Sequence, residues 1–252
     1  MALELEFLGT GDARRVPVYG CQCRACERAR LDLRLCRRAC SALIRGDGYQ
    51  IMLDAGRTDL CESFAPGSFQ AIVLTHYHMD HVMGLFHLRW GTGHTVPVYG
   101  PDDPAGCDDL YKHPGILKFQ PSLVPFQEFS IGPFTLTPLP LNHSKPTLGY
   151  GIEYQGIHFA YLTDTVGLPE PTLDWLKRRP LALMVLDCSV PPKPNPPRNH
   201  NDLNLALALA EQIAPERTLL THLGHQLDEY LYSAPELPAG VEVAFDGMVT
   251  RF

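Results

Sequence analysis

Residues 71–81 read Ala71-Ile72-Val73-Leu74-Thr75-His76-Tyr77-His78-Met79-Asp80-His81, an apolar run that leads into four potential metal ligands, His76, His78, Asp80 and His81. The run is of strand length and rich in aliphatic residues, so it predicts a buried strand followed by a ligand-bearing turn. In an extended turn His76 and His78 point to the same side, while Asp80 and His81 open the next element and can face a second ion nearby. A solvent-facing histidine cluster is the plainer reading. It leaves unexplained why so many titratable groups should follow a core strand without partners.

Working outward, the same arrangement recurs. Phe159-Ala160-Tyr161-Leu162-Thr163 leads to Asp164, and Thr218-Leu219-Leu220-Thr221 leads to His222. Strand ends are often polar because they meet solvent, but three that end in His or Asp suggest a rigid scaffold holding ligands at its rim. Further strand-length runs lie at 3–8, 50–53, 134–137, 150–154, 157–162, 183–186 and 218–220. Helices are expected at 169–177 and at 202–213, the second capped by Asn201 or Asp202 and stopped before Pro215. Pro191-Pro192-Lys193-Pro194-Asn195-Pro196-Pro197 is too rich in proline for either element and is read as a loop. Strands outnumber helices and alternate with them, which predicts an α/β protein with substantial sheet.

The chain has 252 residues, 45% of them hydrophobic, with 28 acidic and 21 basic side chains and a net charge of −7. That length fits one large domain, 1–252, with a sizeable core. The mild acidity, and the lack of an evident basic or glycine-rich insert, argue against a long nucleic acid as partner. No apolar run approaches the roughly 18 residues of a membrane span. The opening Met1-Ala2-Leu3-Glu4-Leu5-Glu6 is acidic where an export signal is basic, so a cytoplasmic setting is expected. In a reducing compartment the eight cysteines are not expected to form disulfides. Cys21-x-Cys23-x-x-Cys26 stands apart from the scattered Cys36, Cys40, Cys61, Cys107 and Cys188. Three thiolates so close supply three corners of a zinc tetrahedron, and His225, three residues after His222, is the favoured fourth. Cys36, Cys40 and His94 are weaker rivals, and a redox dithiol or unligated buried thiols are the alternatives to a metal site.

The motif His76-x-His78-x-Asp80-His81, followed in order by Asn142-His143-Ser144, Leu162-Thr163-Asp164-Thr165 and Leu220-Thr221-His222, resembles the metallo-β-lactamase superfamily. The resemblance implies an αβ/βα four-layer sandwich, two mixed sheets flanked by helices. It places His76, His78 and His143 on one ion, Asp80, His81 and His222 on a second, and Asp164 between them. Asp54, in Leu53-Asp54-Ala55-Gly56, matches the superfamily's Asp-x-Gly turn and is implied to orient a ligand histidine, a plain turn being the other reading. The bridging aspartate, with no ligand replaced by cysteine, is similar to the phosphodiesterase and RNase Z branch. Two ions about 3.5 to 4 Å apart suit in-line displacement at phosphorus, because they stabilise both the attacking and the leaving oxygen.

Within that branch the cysteine cluster, Pro140-Leu141-Asn142-His143-Ser144-Lys145, Arg198-Asn199-His200-Asn201-Asp202-Leu203-Asn204 and Thr221-His222-x-x-His225-Gln226 resemble the phosphoribosyl cyclic phosphate phosphodiesterases of the carbon–phosphorus lyase pathway, over nearly the whole chain. The implied reaction is hydrolysis of 5-phosphoribosyl 1,2-cyclic phosphate to ribose 1,5-bisphosphate in phosphonate catabolism. His200 is then the general acid, oriented by Asn201 or Asp202, and Asp80 holds the attacking oxygen. A surface histidine near a helix start is the other reading of His200. The resemblance favours manganese for the two active-site ions, with zinc, nickel or iron as alternatives. It also implies one structural zinc on Cys21, Cys23, Cys26 and His225 in an inserted loop at about 19–40, a small phosphorylated cyclic sugar as substrate, no membrane partner, and a homodimer. Lys145 and Arg198 are the cations best placed in sequence to hold a distal phosphate, or else are solvated surface charges. Rival readings are an RNase Z-like or general cyclic nucleotide phosphodiesterase, a thioester hydrolase, and a non-catalytic metal-binding scaffold.

Overall fold

The structure is a computed structural model that describes residues 3–195, 197–233 and 235–252. Its first sheet contains β1 (Glu4–Gly9), β2 (Ser41–Gly46), β3 (Tyr49–Leu53), β4 (Ala71–Val73), β5 (Val96–Tyr99) and β6 (Leu117–Phe119). The second contains β7 (Phe129–Ile131), β8 (Phe134–Pro140), β9 (Leu148–Tyr154), β10 (Ile157–Leu162), β11 (Leu183–Asp187), β12 (Thr218–Thr221) and β13 (Val241–Val243). The last strand, β14 (Val249–Arg251), returns to the first sheet beside β1. The strand orders are β14-β1-β2-β3-β4-β5-β6 and β13-β12-β11-β10-β9-β8-β7. Each sheet is antiparallel at one end and parallel at the other: β3 to β6 in the first and β10 to β13 in the second run parallel.

Alternation along the strands explains the layers. Leu53, Val73, Leu183 and Val185 point between the sheets into one core, together with Leu5, Phe7, Tyr150 and Phe159. Their neighbours Met52, Ile72 and Leu74 point outward from the first sheet. Met184 and Leu186 do the same from the second. A strand buried on both faces reads as a continuous apolar run, which is why 71–74 and 183–186 show no polar alternation. Each such aliphatic side chain contributes about 1.5–3 kcal/mol by leaving water, so a charge at Val185 would break the central layer.

Helices cover the outer faces. On the first sheet lie α2 (Leu60–Ser63), α3 (Met79–Val82), α4 (Leu85–Leu88) and α5 (Asp108–Lys112), following α1 (Arg24–Leu31), which belongs to the cysteine-bearing segment. On the second lie α6 (Glu170–Lys177) and α7 (Leu203–Ile213), followed by α8 (His225–Leu231). The result is the expected α/β architecture of two mixed sheets flanked by helices. No helix among the described residues is long and apolar enough to cross a membrane.

Both expected helices form, and α7 is capped by Asp202, whose side chain accepts from the Leu205 amide at 2.9 Å. It ends at Ala214, which takes a left-handed conformation before Pro215. Strands β2, β5, β6, β7, β13 and β14 and helices α1 to α5 and α8 were not expected. Most of these strands have three or four residues, and β5 carries Pro97, so neither length nor pattern marks them.

Candidate metal centre

The parallel strands end along one rim, where the loops that follow them carry the chemistry. After β4 the chain runs extended through His76 and His78, and α3 begins at Met79 with His78 as its N-cap. This puts Asp80 and His81 on the first turn of a helix, with the His81 ring 4.2 Å from that of His76, so one segment supplies both donor groups. His143 follows β8, Asp164 follows β10 and His222 follows β12. The two sheets are joined at this rim by the Leu148 amide, which donates to Thr75 O at 2.9 Å, and by Tyr150, whose hydroxyl donates to Leu74 O at 2.6 Å.

Two groups of donor atoms result. His76 Nε2 and His143 Nε2 lie 2.9 and 3.0 Å from His78 Nδ1, and Asp164 Oδ2 lies 3.7 and 3.8 Å from His76 Nε2 and His143 Nε2. In the other group, His81 Nε2 lies 3.4 Å from Asp80 Oδ2 and 3.3 Å from Asp164 Oδ2, and His222 Nε2 lies 3.3 Å from both oxygens. A tetrahedral ion with bonds of about 2.0–2.1 Å has ligand–ligand edges of about 3.3 Å. The donor sets fit such ions. A second observation agrees: His81 Nε2 is fully buried and has no hydrogen-bond partner among the described residues.

The far nitrogens of these rings are held in place. Asp54 Oδ2 accepts from His81 Nδ1 at 2.8 Å, and Asp54 is fixed in turn by the Thr75 amide and hydroxyl at 2.8 and 3.0 Å. Thr75 Oγ1 lies 3.0 Å from His76 Nδ1, Ser189 Oγ lies 2.9 Å from His222 Nδ1, and the Asn199 carbonyl lies 3.0 Å from His143 Nδ1. Such contacts choose the tautomer that presents Nε2 to an ion. Asp54 holds a left-handed backbone (φ 57°), unusual for a non-glycine residue, in order to turn its carboxylate inward.

The electrostatics divide the rings. Burial depresses the pKa of His76, His78 and His143, so these stay neutral and free to ligate. Burial acts the same way on His81 and His222, but the carboxylates around them outweigh it. Asp164, with Asp54 and Asp80, raises His81 well above its ordinary value, and Asp164 with Asp80 and Asp187 pushes His222 up to about 9. A pocket that draws protons onto buried imidazoles this strongly is one in which divalent cations can displace them.

His200 sits over this centre. Its ring stacks on His222 with centroids 4.8 Å apart and 22° between planes, and lies 5.1 Å from the His143 ring. Its orienting partner is neither Asn201 nor Asp202. His200 Nδ1 meets Asp187 Oδ2 at 2.8 Å. Asn201 instead binds the Gly167 amide and the Asp187 carbonyl, and Asp202 caps α7. Sequence neighbourhood misled because the β11 end, 13 residues before His200 and across the proline-rich segment, packs against the 198–202 loop. The missed carboxylate had a signal: Asp187 directly follows the apolar run 183–186, as Asp164 and His222 follow theirs.

The cysteine cluster forms a separate site. Cys23 is the N-cap of α1 and Cys26 lies in its first turn. His225, the first residue of α8, brings Nδ1 to 3.3 Å from Cys21 Sγ and 3.4 Å from Cys23 Sγ, and Cys26 completes the group. Edges of about 3.5 Å are those of a zinc tetrahedron with one nitrogen and three sulfur ligands. Cys36 lies outside the group and donates to Ala29 O, Cys40 contacts the Tyr161 hydroxyl, and His94 is exposed. All eight cysteines are free thiols. Burial pushes the Cys26 thiol up to about 12, so near neutral pH it keeps its proton unless a bound cation displaces it.

Two sequence expectations look different here. Between residues 14 and 38 stand eight arginines against two acids, a basic insert that the net charge of −7 hides. Four of them meet carboxylates: Arg14 with Asp12, Arg34 with Asp32, Arg37 with Asp228 and Arg38 with Asp246. Lys145 pairs with the buried Asp103 at 3.1 Å, so its charge is already matched. Arg198 is exposed and makes no hydrogen bond or ion pair among the described residues.

This rim of histidines and a shared aspartate on a four-layer scaffold defines a metallo-hydrolase class. Residues 57–223 match the family described as "Beta-lactamase superfamily domain", and the chain belongs to that superfamily. It stands close to the PhnP family: it is 27% identical to a structure described as a new diphosphatase from that family, with a TM-score of 0.83 over 100% of this chain and 98% of the other. It is also 26% identical to the probable metallo-hydrolase YhfI of Bacillus subtilis (strain 168), over 73% of this chain and 79% of that protein. An octanoyltransferase of Porphyromonas gingivalis (strain ATCC BAA-308 / W83) is 28% identical over 96% of this chain, which spans only 50% of that protein's length.

Proposed function

We propose that the protein is a dinuclear-metal phosphodiesterase that hydrolyses 5-phosphoribosyl 1,2-cyclic phosphate to ribose 1,5-bisphosphate, a step in the breakdown of phosphonates. One observation carries the reading. A single oxygen, Asp164 Oδ2, lies within 3.3–3.8 Å of the inward nitrogens of His76, His81, His143 and His222. One carboxylate oxygen facing four imidazoles suits a bridge between two ions.

In this reading His76, His78, His143 and Asp164 hold one ion, and Asp80, His81, His222 and Asp164 the other. The centre has only imidazole and carboxylate donors, which accommodate manganese as well as zinc, nickel or iron, whereas the thiolate-rich Cys21, Cys23, Cys26 and His225 set selects zinc. When bound, the two active-site ions supply charge stabilisation for in-line displacement at phosphorus. Asp80 holds and orients the attacking oxygen. His200 gives its Nε2 proton to the departing sugar oxygen, an alkoxide that leaves poorly without one. The raised pKa of His200 suits it to donating that proton. Burial opposes the cation, but the Asp187 charge and hydrogen bond outweigh it. Arg198, exposed next to the acid loop, is assigned to the distal phosphate, with Lys145 in reserve behind its Asp103 pair. A cytoplasmic homodimer with one small substrate per site completes the proposal.

A diphosphatase is the second reading, favoured by the similarity to the PhnP-family diphosphatase. Phosphate is a better leaving group than an alkoxide, so such a reaction depends less on His200. The test compares kcat/KM for the 5-phosphorylated cyclic sugar, its dephosphorylated analogue, an acyclic dialkyl phosphate and a nucleoside diphosphate-type anhydride. The first is expected to lead by orders of magnitude and to lose most in His200→Ala. A lead for the anhydride, with His200→Ala nearly silent, makes the protein a diphosphatase instead.

A further inference from the structure

We propose that Asp187 is the positioning residue of the site: it holds His200 directly, steadies His222 through Ser189, and is kept from binding the ions by the hydrogen bonds it already makes. The inference rests on the phosphodiesterase reading for the role of His200, but the geometry stands without it.

Asp187 is the last residue of β11 and is completely buried. A carboxylate in such a place needs its lone pairs satisfied. Oδ2 accepts from His200 Nδ1 at 2.8 Å and from the Thr165 amide at 3.0 Å, and Oδ1 accepts from the Ser189 hydroxyl at 3.1 Å. The Asn201 amide donates to the Asp187 carbonyl at 3.0 Å, which ties the acid loop to the same strand end. By distance alone Asp187 qualifies as a ligand, for its oxygen falls in one group with donor atoms of Asp164, His200 and His222. Its chemistry sets it apart: both oxygens already accept hydrogen bonds, whereas His81 Nε2 in the centre has no hydrogen-bond partner among the described residues.

Ser189 extends the reach of Asp187. Its hydroxyl lies 2.9 Å from His222 Nδ1, 2.8 Å from His222 O and 3.1 Å from Asp187 Oδ1. A hydroxyl has one hydrogen and can accept more than once, so it accepts from His222 Nδ1–H and shares its own hydrogen between Asp187 Oδ1 and the His222 carbonyl. His222 itself has a left-handed backbone (φ 62°), which turns its ring back over the centre. One carboxylate thus fixes the proton donor and, one hydroxyl further on, a ring proposed to bind an ion.

The consequence for the reaction is a defined proton path. With Nδ1–H committed to Asp187, only Nε2 of His200 can serve substrate. As the P–O bond breaks, its electron pair stays on the departing oxygen and takes the Nε2 proton. His200 ends neutral, with Nδ1–H still donated to Asp187 Oδ2.

The test uses the zinc-loaded 252-residue protein and the variants Asp187→Asn, Ser189→Ala, His200→Ala and Asp187→Asn/His200→Ala. Asp187→Asn should lose roughly 10²-fold or more on an alkoxide-leaving diester and far less on a nitrophenyl diester. Relative to His200→Ala, the double variant should lose no more than Ser189→Ala loses relative to the parent protein, because the remaining effect of Asp187 runs through that hydroxyl. Ser189→Ala should weaken metal retention by about 10–100-fold and keep the leaving-group preference. A loss in the double variant larger than that bound, or equal loss on both substrates, overturns the proposal. If Asp187→Asn fails to fold, nitrogen NMR of histidine-labelled wild-type protein decides: a proton on His200 Nδ1 is expected, and a bare Nδ1 refutes the assignment. Wild-type protein inactive on every phosphodiester would sink the phosphodiesterase reading instead, and the NMR result would still judge the contact.

Discussion

The histidine and carboxylate centre draws its side chains from the ends of four strands in both sheets, whereas the cysteine group comes from the start of α1 and the first residue of α8. In the first, His76, His81, Asp164 and His222 have at most 1% exposure; in the second only Cys26 is buried. A centre assembled from four strand ends exists only once both sheets are in place, so it adds little to folding and can tolerate exchangeable ions. A group spanning six residues at the start of α1 has little core of its own, with Val16, Cys26 and Ala29 as its buried apolar residues, and under the proposed reading would rely on its ion to hold shape. Under the proposed reading the contrast is between an ion that would work and an ion that would staple.

The largest effect expected from that difference is on Asp164. Asp164→Ala removes an oxygen shared by both donor groups, so metal content in the histidine centre should fall and activity should drop by well over the roughly 100-fold typical of losing an orienting partner. The melting temperature should change far less than the activity. Metal analysis and thermal unfolding on the same sample check this; retained activity would remove the shared-oxygen argument.

Chelation should come next in size. A carboxylate chelator should abolish turnover while circular dichroism is unchanged, because the exchangeable centre empties before the thiolate site. Simultaneous loss of fold and activity would erase the distinction between the two regions. Cys26→Ala should show the converse pattern, with zinc lost, thermal stability lowered by several degrees and turnover of the surviving folded protein reduced only a few-fold. Normal stability with unchanged zinc would mean the cysteine group is not a metal site.

A smaller effect is in proton release. In metal-free protein, His81 and His222 carry raised pKa values, His222 at about 9. Their contribution to stability is fully present below the ordinary imidazole value of about 6.5, and is lost as pH rises through the folded value. Manganese added to that protein between about pH 6.5 and 9 should therefore expel protons, seen as binding heats that vary with the ionisation enthalpy of the buffer. Heats independent of buffer would show that these rings are neutral before the ion arrives. Smallest of all, Arg198→Ala should raise KM for the 5-phosphorylated substrate without touching the dephosphorylated analogue, and Lys145→Ala should do less because Asp103 already neutralises it.

Much of this was legible in the sequence, for definite reasons. His76, His78, Asp80 and His81 lie so close together that local geometry alone brings them to one rim, and the apolar runs before Asp164 and His222 mark strand ends whatever the strand order. Cys21, Cys23 and Cys26 are readable for the same reason. What was not legible depends on tertiary packing. The pairing of His200 with Asp187 spans a strand end and a loop that only the second sheet aligns, and the Lys145–Asp103 pair joins residues 42 apart. The arginine-rich 14–38 insert was visible but lost in a whole-chain average. The short edge strands β13 and β14 have no pattern of their own and form because the strands beside them offer an open edge.

The central claim is that Asp164 joins two ions in one centre while a third, of different kind, sits among the cysteines. Anomalous X-ray scattering from crystals grown with manganese, recorded at the manganese and zinc edges, tests it most directly. The account predicts two manganese peaks on either side of Asp164, about 3.5 to 4 Å apart, and one zinc peak within the Cys21, Cys23, Cys26 and His225 group. A single peak beside Asp164, or a peak ligated by Asp187, would contradict it.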